Sequence, residues 1–288
     1  MNIGIIGSGS VGTTLGLYFK DNKMLINGFY NNTLLSAQES AEITNTNIYD
    51  NLEKIILNDD LIMICVNDDS IKNIVNEIID LKMDLSNKYF CHTSGVYSSN
   101  KLIELKELGA TIASLHPVLS IPDKVSQVDS LSDAYFTFEG LGNNYKELKE
   151  FFDKLFNNLI EFKGDKGLYH AAACVTSNYL NTLLSKALDM YIKSGMSKVD
   201  ALKIMEPLVM GSVKNFFNTP NKSLTGPIAR GDSKTVKAHI ESIKELDRDD
   251  LREMYSYLGM LTTKLAFENK YINKEDNDKI LEVINNEK

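Results

Sequence analysis

Apolar residues follow two different rhythms along this chain, and the change comes near residue 163. Ile3, Ile5 and Ile6 open the chain as a strand, and residues 24–30 (Met-Leu-Ile-Asn-Gly-Phe-Tyr) read as a second. Residues 61–66, Leu-Ile-Met-Ile-Cys-Val, are continuously apolar, as expected of a strand buried on both faces. Further strands are expected at 88–92, 111–115, 135–138 and 159–162. Between them Ile71, Ile74, Val75, Ile78 and Ile79 recur at helical spacing, and residues 34–41 and 102–108 carry shorter helical patterns. Strands alternating with helices predict an α/β fold with a mostly parallel, doubly wound sheet.

Beyond Gly164 the strand rhythm stops. Helical runs are expected at 166–194, 197–217, 233–245, 248–269 and 274–285. Ser197-x-x-Asp200 and Asp247-x-x-Asp250 resemble N-cap arrangements, and Gly195 stands where a C′ glycine belongs. The chain therefore divides into an α/β domain over residues 1–163 and an all-α domain over 164–288. A ligand is expected in the cleft between them.

The first turn carries the sharpest chemical signal. After the opening strand come Gly7-Ser8-Gly9-Ser10-Val11-Gly12, and then an apolar helix. This G-x-G-x-x-G, placed between a strand and a helix, is the dinucleotide fingerprint. Gly7 permits the tight turn, Gly9 the close approach of a pyrophosphate, and Gly12 the packing of helix on strand. An acidic residue for a ribose 2′-hydroxyl belongs about 20 residues further on. Tyr30, Asn31, Asn32 and Thr33 stand there instead. No carboxylate repels a 2′-phosphate, so NADP is expected over NAD. Val66, Asn67 and Asp68, after the 61–66 run, complete the expected cofactor contacts.

Composition narrows the function classes. A net charge of −8 argues against nucleic-acid and anionic-membrane partners. No apolar run approaches the length of a membrane span, so a cytoplasmic protein is expected. Cys65, Cys91 and Cys174 lack metal-like spacing and read as small buried hydrophobes, and no metal is expected. Of 31 basic residues only Arg230, Arg248 and Arg252 are arginine, so an Arg is mildly informative here.

Three constellations could do chemistry. The four histidines fall at expected element ends: His92 and His116 after strands, His170 and His239 on helices. Residues 168–192 form a helix apolar almost all round, which should be buried. On it His170, Cys174, Ser177, Asn178 and Asn181 share one polar arc. Such a stripe must pair with another helix or face a ligand. The third is Leu224-Thr-Gly-Pro-Ile-Ala-Arg230-Gly-Asp232, where Asp232 or Ser233 can cap a helix and Arg230 offers a fork to a carboxylate or phosphate.

The glycine turn, His92-Thr-Ser-Gly95, His116-Pro117, His170-Ala-Ala-Ala with Ser177-Asn178, and the 224–232 loop together resemble the family of Rossmann-like proteins carrying a DUF2520 domain. That family lies within the 6-phosphogluconate-dehydrogenase-like and pyrroline-5-carboxylate-reductase-like superfamily and includes alternative ketopantoate reductases. The resemblance implies NADPH-dependent reduction of a small 2-keto acid, 2-dehydropantoate to pantoate in the first instance. His116 or His170 would donate the proton, and Arg230, Asn178 and Ser94 would hold carboxylate and carbonyl. Two alternatives stand beside it: reduction of a pyrroline-type imine, and a non-catalytic NADPH-binding sensor. A homodimer through the all-α domain is also expected, because residues 248–269 carry more apolar positions than one small bundle needs.

Overall fold

The computed structural model describes residues 1–286. Eight strands form one sheet in the order β3-β2-β1-β4-β5-β6-β7-β8. They are β1 (Asn2–Ile6), β2 (Leu25–Tyr30), β3 (Asn47–Ile48), β4 (Leu61–Ile64), β5 (Tyr89–His92), β6 (Thr111–Val118), β7 (Tyr135–Leu141) and β8 (Asn158–Glu161). Neighbours from β3 across to β6 are parallel, β7 runs antiparallel to β6, and β8 is parallel to β7. The mostly parallel, doubly wound sheet is thus observed.

Strand alternation sends side chains to two cores. Ile3, Ile5, Met63 and Cys91 join Phe136, Phe138 and Phe152 on one face. Ile6, Ile62, Ile64 and Phe90 join Ile74 and Val75 on the other. Every residue of β4 and β5 is buried, which is why those segments lack a polar phase. The covering helices are α1 (Ser10–Asp21), α2 (Leu34–Thr44), α3 (Leu52–Asn58), α4 (Asp68–Asp80), α5 (Ile103–Glu107) and α6 (Tyr145–Leu155). Helix α4 buries Ile71, Ile74, Val75 and Ile78. The short α3, capped by Asn51 accepting from the Lys54 N–H, and the two-residue β3 give too little periodicity to be anticipated.

The chain divides into two compact units, Met1–Asn178 and Tyr179–Lys288. The first ends in α7 (Lys166–Cys174), which runs into a π turn over Val175–Tyr179. The second begins with α8 (Leu180–Lys193) and continues with α9 (Lys198–Asn218), α10 (Ser233–Lys244), α11 (Asp249–Glu268) and α12 (Lys274–Asn286). Val236, Ile240, Ala266, Ile280 and Ile284 form its core. Ser197 caps α9 by accepting from the Asp200 N–H, and Asp232 caps α10 by accepting from the Thr235 N–H. The expected cap at Asp247 is not formed: Asp247 has φ of 51° and Arg248 occupies the N-cap position.

The expectation that residues 168–192 are buried fails. Neither the π turn nor α8 contains a buried residue. The polar arc is also broken, because a π turn takes an extra residue and shifts the helical phase between Cys174 and Asn181.

Candidate active site

In a doubly wound sheet, ligands bind beyond the carboxyl ends of the strands where the order reverses. Here that point lies between β1 and β4. Gly7 follows β1 with φ of +101°, and a Cβ on it would lie 2.4 Å from the Cys65 carbonyl oxygen. A Cβ on Gly12 would lie 2.2 Å from the Gly7 carbonyl oxygen. A Cβ on Gly9, by contrast, would meet nothing within 4 Å. Gly7 and Gly12 are demanded by the turn itself, whereas Gly9 keeps a cradle open. Beside it, the α1 amino terminus has no side-chain cap, so its N–H groups remain available to an anion.

Two cavities share Gly9, Cys65, Val66 and Asn67. One, of about 250 Å³, is lined also by Ser8, Tyr30, Asn31 and Asn32. The other, of about 480 Å³, extends past Ser10, Val11 and Asp68 to Ser94, Gly95 and His116. Together they form a long groove with the glycine turn at its middle, a shape that fits a dinucleotide. Asn31 Nδ2 donates to Ser8 Oγ at 2.5 Å and ties the end of β2 to the turn. Thr33 instead stands at the N-cap of α2 and does not line either cavity.

At the far end of the groove two histidines meet. The rings of His116 and His170 lie 5.7 Å apart, edge to face. A Cβ on Gly95 would sit 2.5 Å from His170 Nδ1 and 2.7 Å from His116 Nε2, so both rings close on this glycine. His116 does not end its strand as expected. β6 continues to Val118 because β7 pairs with it, placing His116 opposite Thr137. His116 Nδ1 is bonded to the Tyr169 hydroxyl at 2.8 Å. Burial first, and then the neighbouring His170 and Lys166, push its pKa down to about 4. His116 is therefore a neutral imidazole near pH 7. His170 Nδ1 is buried and has no partner among the described residues, an orphaned polar atom at the groove's end.

His92 plays a different part. It is fully buried, accepts from the Ser94 N–H at Nδ1 (3.2 Å) and donates from Nε2 to the Ser98 carbonyl (2.9 Å). Burial holds its pKa near 4, and it pins the loop that carries Gly95. Ser94 Oγ accepts from the Val96 and Tyr97 N–H groups at 3.3 Å each, which leaves its own O–H to donate.

The first unit thus brings Ser94, His116 and His170 together. Of the remaining stripe, Ser177 is exposed, and its one hydroxyl hydrogen lies within reach of the Ala173 carbonyl and of Asn178 Oδ1. Arg230 belongs to the second unit, where it is exposed near Asp232. Asp232 is held below the usual carboxylate range first by Thr235 and then by Arg230. Sequence reasoning missed Tyr169 and set Lys166 aside as a residue at the end of its helix. Tyr169 hides among apolar neighbours, and its only signal was adjacency to His170. Among the described residues no group of three or more His, Cys, Asp or Glu could hold a metal ion. No helix among them is long and apolar enough to cross a membrane.

Comparison with known proteins agrees with this architecture. Residues 1–117 match the model of a Rossmann-like domain and residues 134–262 match that of DUF2520, a domain of unknown function. A search of the curated proteins finds no match. Among solved structures, BF3122 of Bacteroides fragilis, a candidate NADP oxidoreductase, superposes with TM-score 0.75 at 20% identity, covering 91% of this chain and 98% of its own. A pyrroline-5-carboxylate reductase from Coxiella burnetii gives 0.56 at 17%, covering 98% of each chain. An imine reductase from Myxococcus stipitatus in complex with NADP+ gives 0.61 at 14%, covering 99% of this chain and 93% of its own. At such identities the likeness is one of fold.

Proposed function

We propose that the protein is an NADPH-dependent reductase of a small 2-keto acid, with 2-dehydropantoate the first substrate to test. The observation that carries this reading is the groove with a glycine cradle at its middle and a histidine pair, one ring nitrogen orphaned, at its end. The cradle and the unused N–H groups of α1 fit a pyrophosphate, and the neutral lining at Tyr30, Asn31 and Asn32 accepts a 2′-phosphate without repulsion. Bound there, NADPH would supply the hydride. Ser94 and the histidines would orient the carbonyl, with an imidazole N–H donating to its oxygen as negative charge develops. Arg230 is proposed, from its guanidinium fork alone, as a residue that binds a carboxylate, and Asn178 as a substrate contact.

Imine reduction is the second reading, favoured by likeness to a pyrroline-5-carboxylate reductase and imine reductases. The same donors would serve a nitrogen in place of an oxygen. The test is NADPH oxidation by the purified chain against a panel of 2-keto acids and cyclic imines, with binding of NADPH and NADH measured by fluorescence. Turnover of a keto acid supports the first reading and turnover of imines alone the second. NADPH binding with no turnover favours a sensor, and tighter NADH binding removes the NADP argument.

We further propose a homodimer built on the helical unit. Helix α8 buries nothing, and α9 leaves Leu208 at 61%, Met210 at 61% and Phe217 at 77% exposure. Helices of this length gain most of their stability by burying an apolar face. Light scattering at micromolar concentration should return twice the 32.3 kDa chain mass; the mass of one chain would refute the dimer.

A further inference from the structure

Lys166 is 96% shielded from solvent, yet among the described residues it forms no ion pair. Its ammonium lies over the rings of Phe162 and Tyr169, at 5.6 and 5.5 Å from their centroids. Lys166 Nζ donates to Thr137 Oγ1 at 3.4 Å, and Thr137 donates to the Tyr169 hydroxyl at 3.5 Å. Tyr169 is bonded to His116 Nδ1 at 2.8 Å. Lysine can only donate, so each hydroxyl that accepts from behind has its own hydrogen to pass forward. The donors run from Lys166 through Thr137 to Tyr169, and they continue to His116 when Tyr169 gives its own hydrogen to Nδ1. With Nδ1 accepting, the proton of the neutral ring resides on Nε2, the atom beside Gly95 in the groove.

We propose that Lys166 and Tyr169 are positioning residues of a buried proton relay, which fixes His116 as its Nε2–H tautomer and resupplies the proton that His116 gives to substrate. The inference rests on the reductase reading for the step that it feeds. When the carbonyl carbon accepts hydride, the C–O π pair moves onto oxygen, which takes the proton from His116 Nε2. Nδ1 then takes the Tyr169 proton, Tyr169 takes that of Thr137, and Thr137 takes one from the Lys166 ammonium, leaving a neutral amine. After product departs, water protonates Nε2 and the same transfers run backwards, restoring the ammonium.

Burial lowers the Lys166 pKa, which makes its proton easier to release; Glu139 and Cys91 act in the opposite sense. Glu139 does not neutralise it by contact, since its Oε1 accepts from Ser99 Oγ at 2.8 Å. Around His116, the groups that bear on its charge are His170, Lys166, Asp68 and His92, and only Asp68 favours protonation.

The test reads His116 directly, by long-range ¹H–¹⁵N NMR of the full chain, alongside kcat as a function of pH. In the wild type, His116 should show the Nε2–H tautomer and stay neutral until pH approaches about 4. Lys166→Met should raise its pKa in part, burial still holding it below the ordinary 6.5, while Lys166→Arg keeps it low. Tyr169→Phe should give mixed tautomers and lower kcat roughly 10²-fold with NADPH affinity within threefold, the scale of general acid catalysis. The wild-type kcat should fall on the alkaline side as Lys166 deprotonates, and Lys166→Arg, whose guanidinium keeps the charge but cannot release its proton, should lower kcat at every pH and abolish that alkaline fall. A His116 proton on Nδ1, or variants that leave tautomer, pKa and pH profile unchanged while melting normally, would overturn the relay. If no panel substrate turns over but the NMR results are as stated, the reductase reading fails and the positioning by Lys166 and Tyr169 stands.

Discussion

Gly95 is the position where one methyl group tests the proposed reacting centre. Gly95 has a negative φ, so alanine meets no backbone strain there. Its Cβ would arrive 2.5 Å from His170 Nδ1 and 2.7 Å from His116 Nε2, where ordinary contact begins at 3.4 Å. The two ring atoms must therefore yield by close to 0.9 and 0.7 Å between the new and ordinary contact distances. His116 is restrained at Nδ1 by Tyr169, whereas His170 Nδ1 has no partner among the described residues and moves more easily. Misplacement of catalytic groups by about 1 Å costs on the order of 10²-fold in rate, or about 2.7 kcal/mol of barrier. Gly95→Ala should thus lower kcat about 10²-fold while NADPH affinity stays within a few-fold and the thermal melt remains cooperative. Absorbance-monitored NADPH oxidation with the best panel substrate, cofactor titration and a melt on the same preparation decide it. Turnover within threefold of wild type would show that the rings crowding Gly95 are not where the chemistry occurs.

Three further outcomes follow from the geometry. Gly9→Ala should fold normally but bind NADPH at least tenfold more weakly, about 1.4 kcal/mol, whereas Gly12→Ala should lower the melting temperature itself; equal melting losses would contradict the open cradle. Asp59 is fully buried, accepts from Asn27 Nδ2 at Oδ1 (2.8 Å), and has its pKa raised by burial from 3.8 to about 6. Its protonated form therefore favours the folded state below pH 4, and up to about 3 kcal/mol of that is lost as pH rises through 6. Asp59→Asn should accordingly stabilise the protein at pH 8 and do little at pH 4, and a pH-independent change in denaturation midpoint would refute the assignment. Arg230→Lys keeps the charge and loses the fork, so it should raise KM or lower kcat about tenfold or more with NADPH affinity within a few-fold; unchanged kinetics would make Arg230 a loop residue only.

Much of the architecture was legible because the physics is local. The unbroken apolar run at 61–66 needs cover on both faces, and β4 has it. The glycine turn was legible for a similar reason, since steric demand at Gly7 and Gly12 is written into residues a few positions apart. Long-range partnership was not. His116 reads as a strand end, because the pairing that extends β6 comes from β7, some 20 residues further on. Lys166 reads as a helix-end residue, yet its ammonium lies in the interior against Thr137. The apolar run at 168–192 predicts burial, and that prediction fails, because neither the π turn nor α8 contains a buried residue. The cap at Asp247 failed because that residue takes a left-handed turn, leaving Arg248 to start α11.

The three glycines of the turn answer to different masters. Two of them are compulsory for any polypeptide that makes this strand-to-helix corner, so mutational drift would retain them even in a descendant that had abandoned its cofactor. Gly9 has no such protection, because none of the described residues touches the space beside it. In a lineage of such chains, the middle glycine alone would record whether a nucleotide is still being bound, and its loss beside two intact neighbours would mark a corner kept after the ligand had gone.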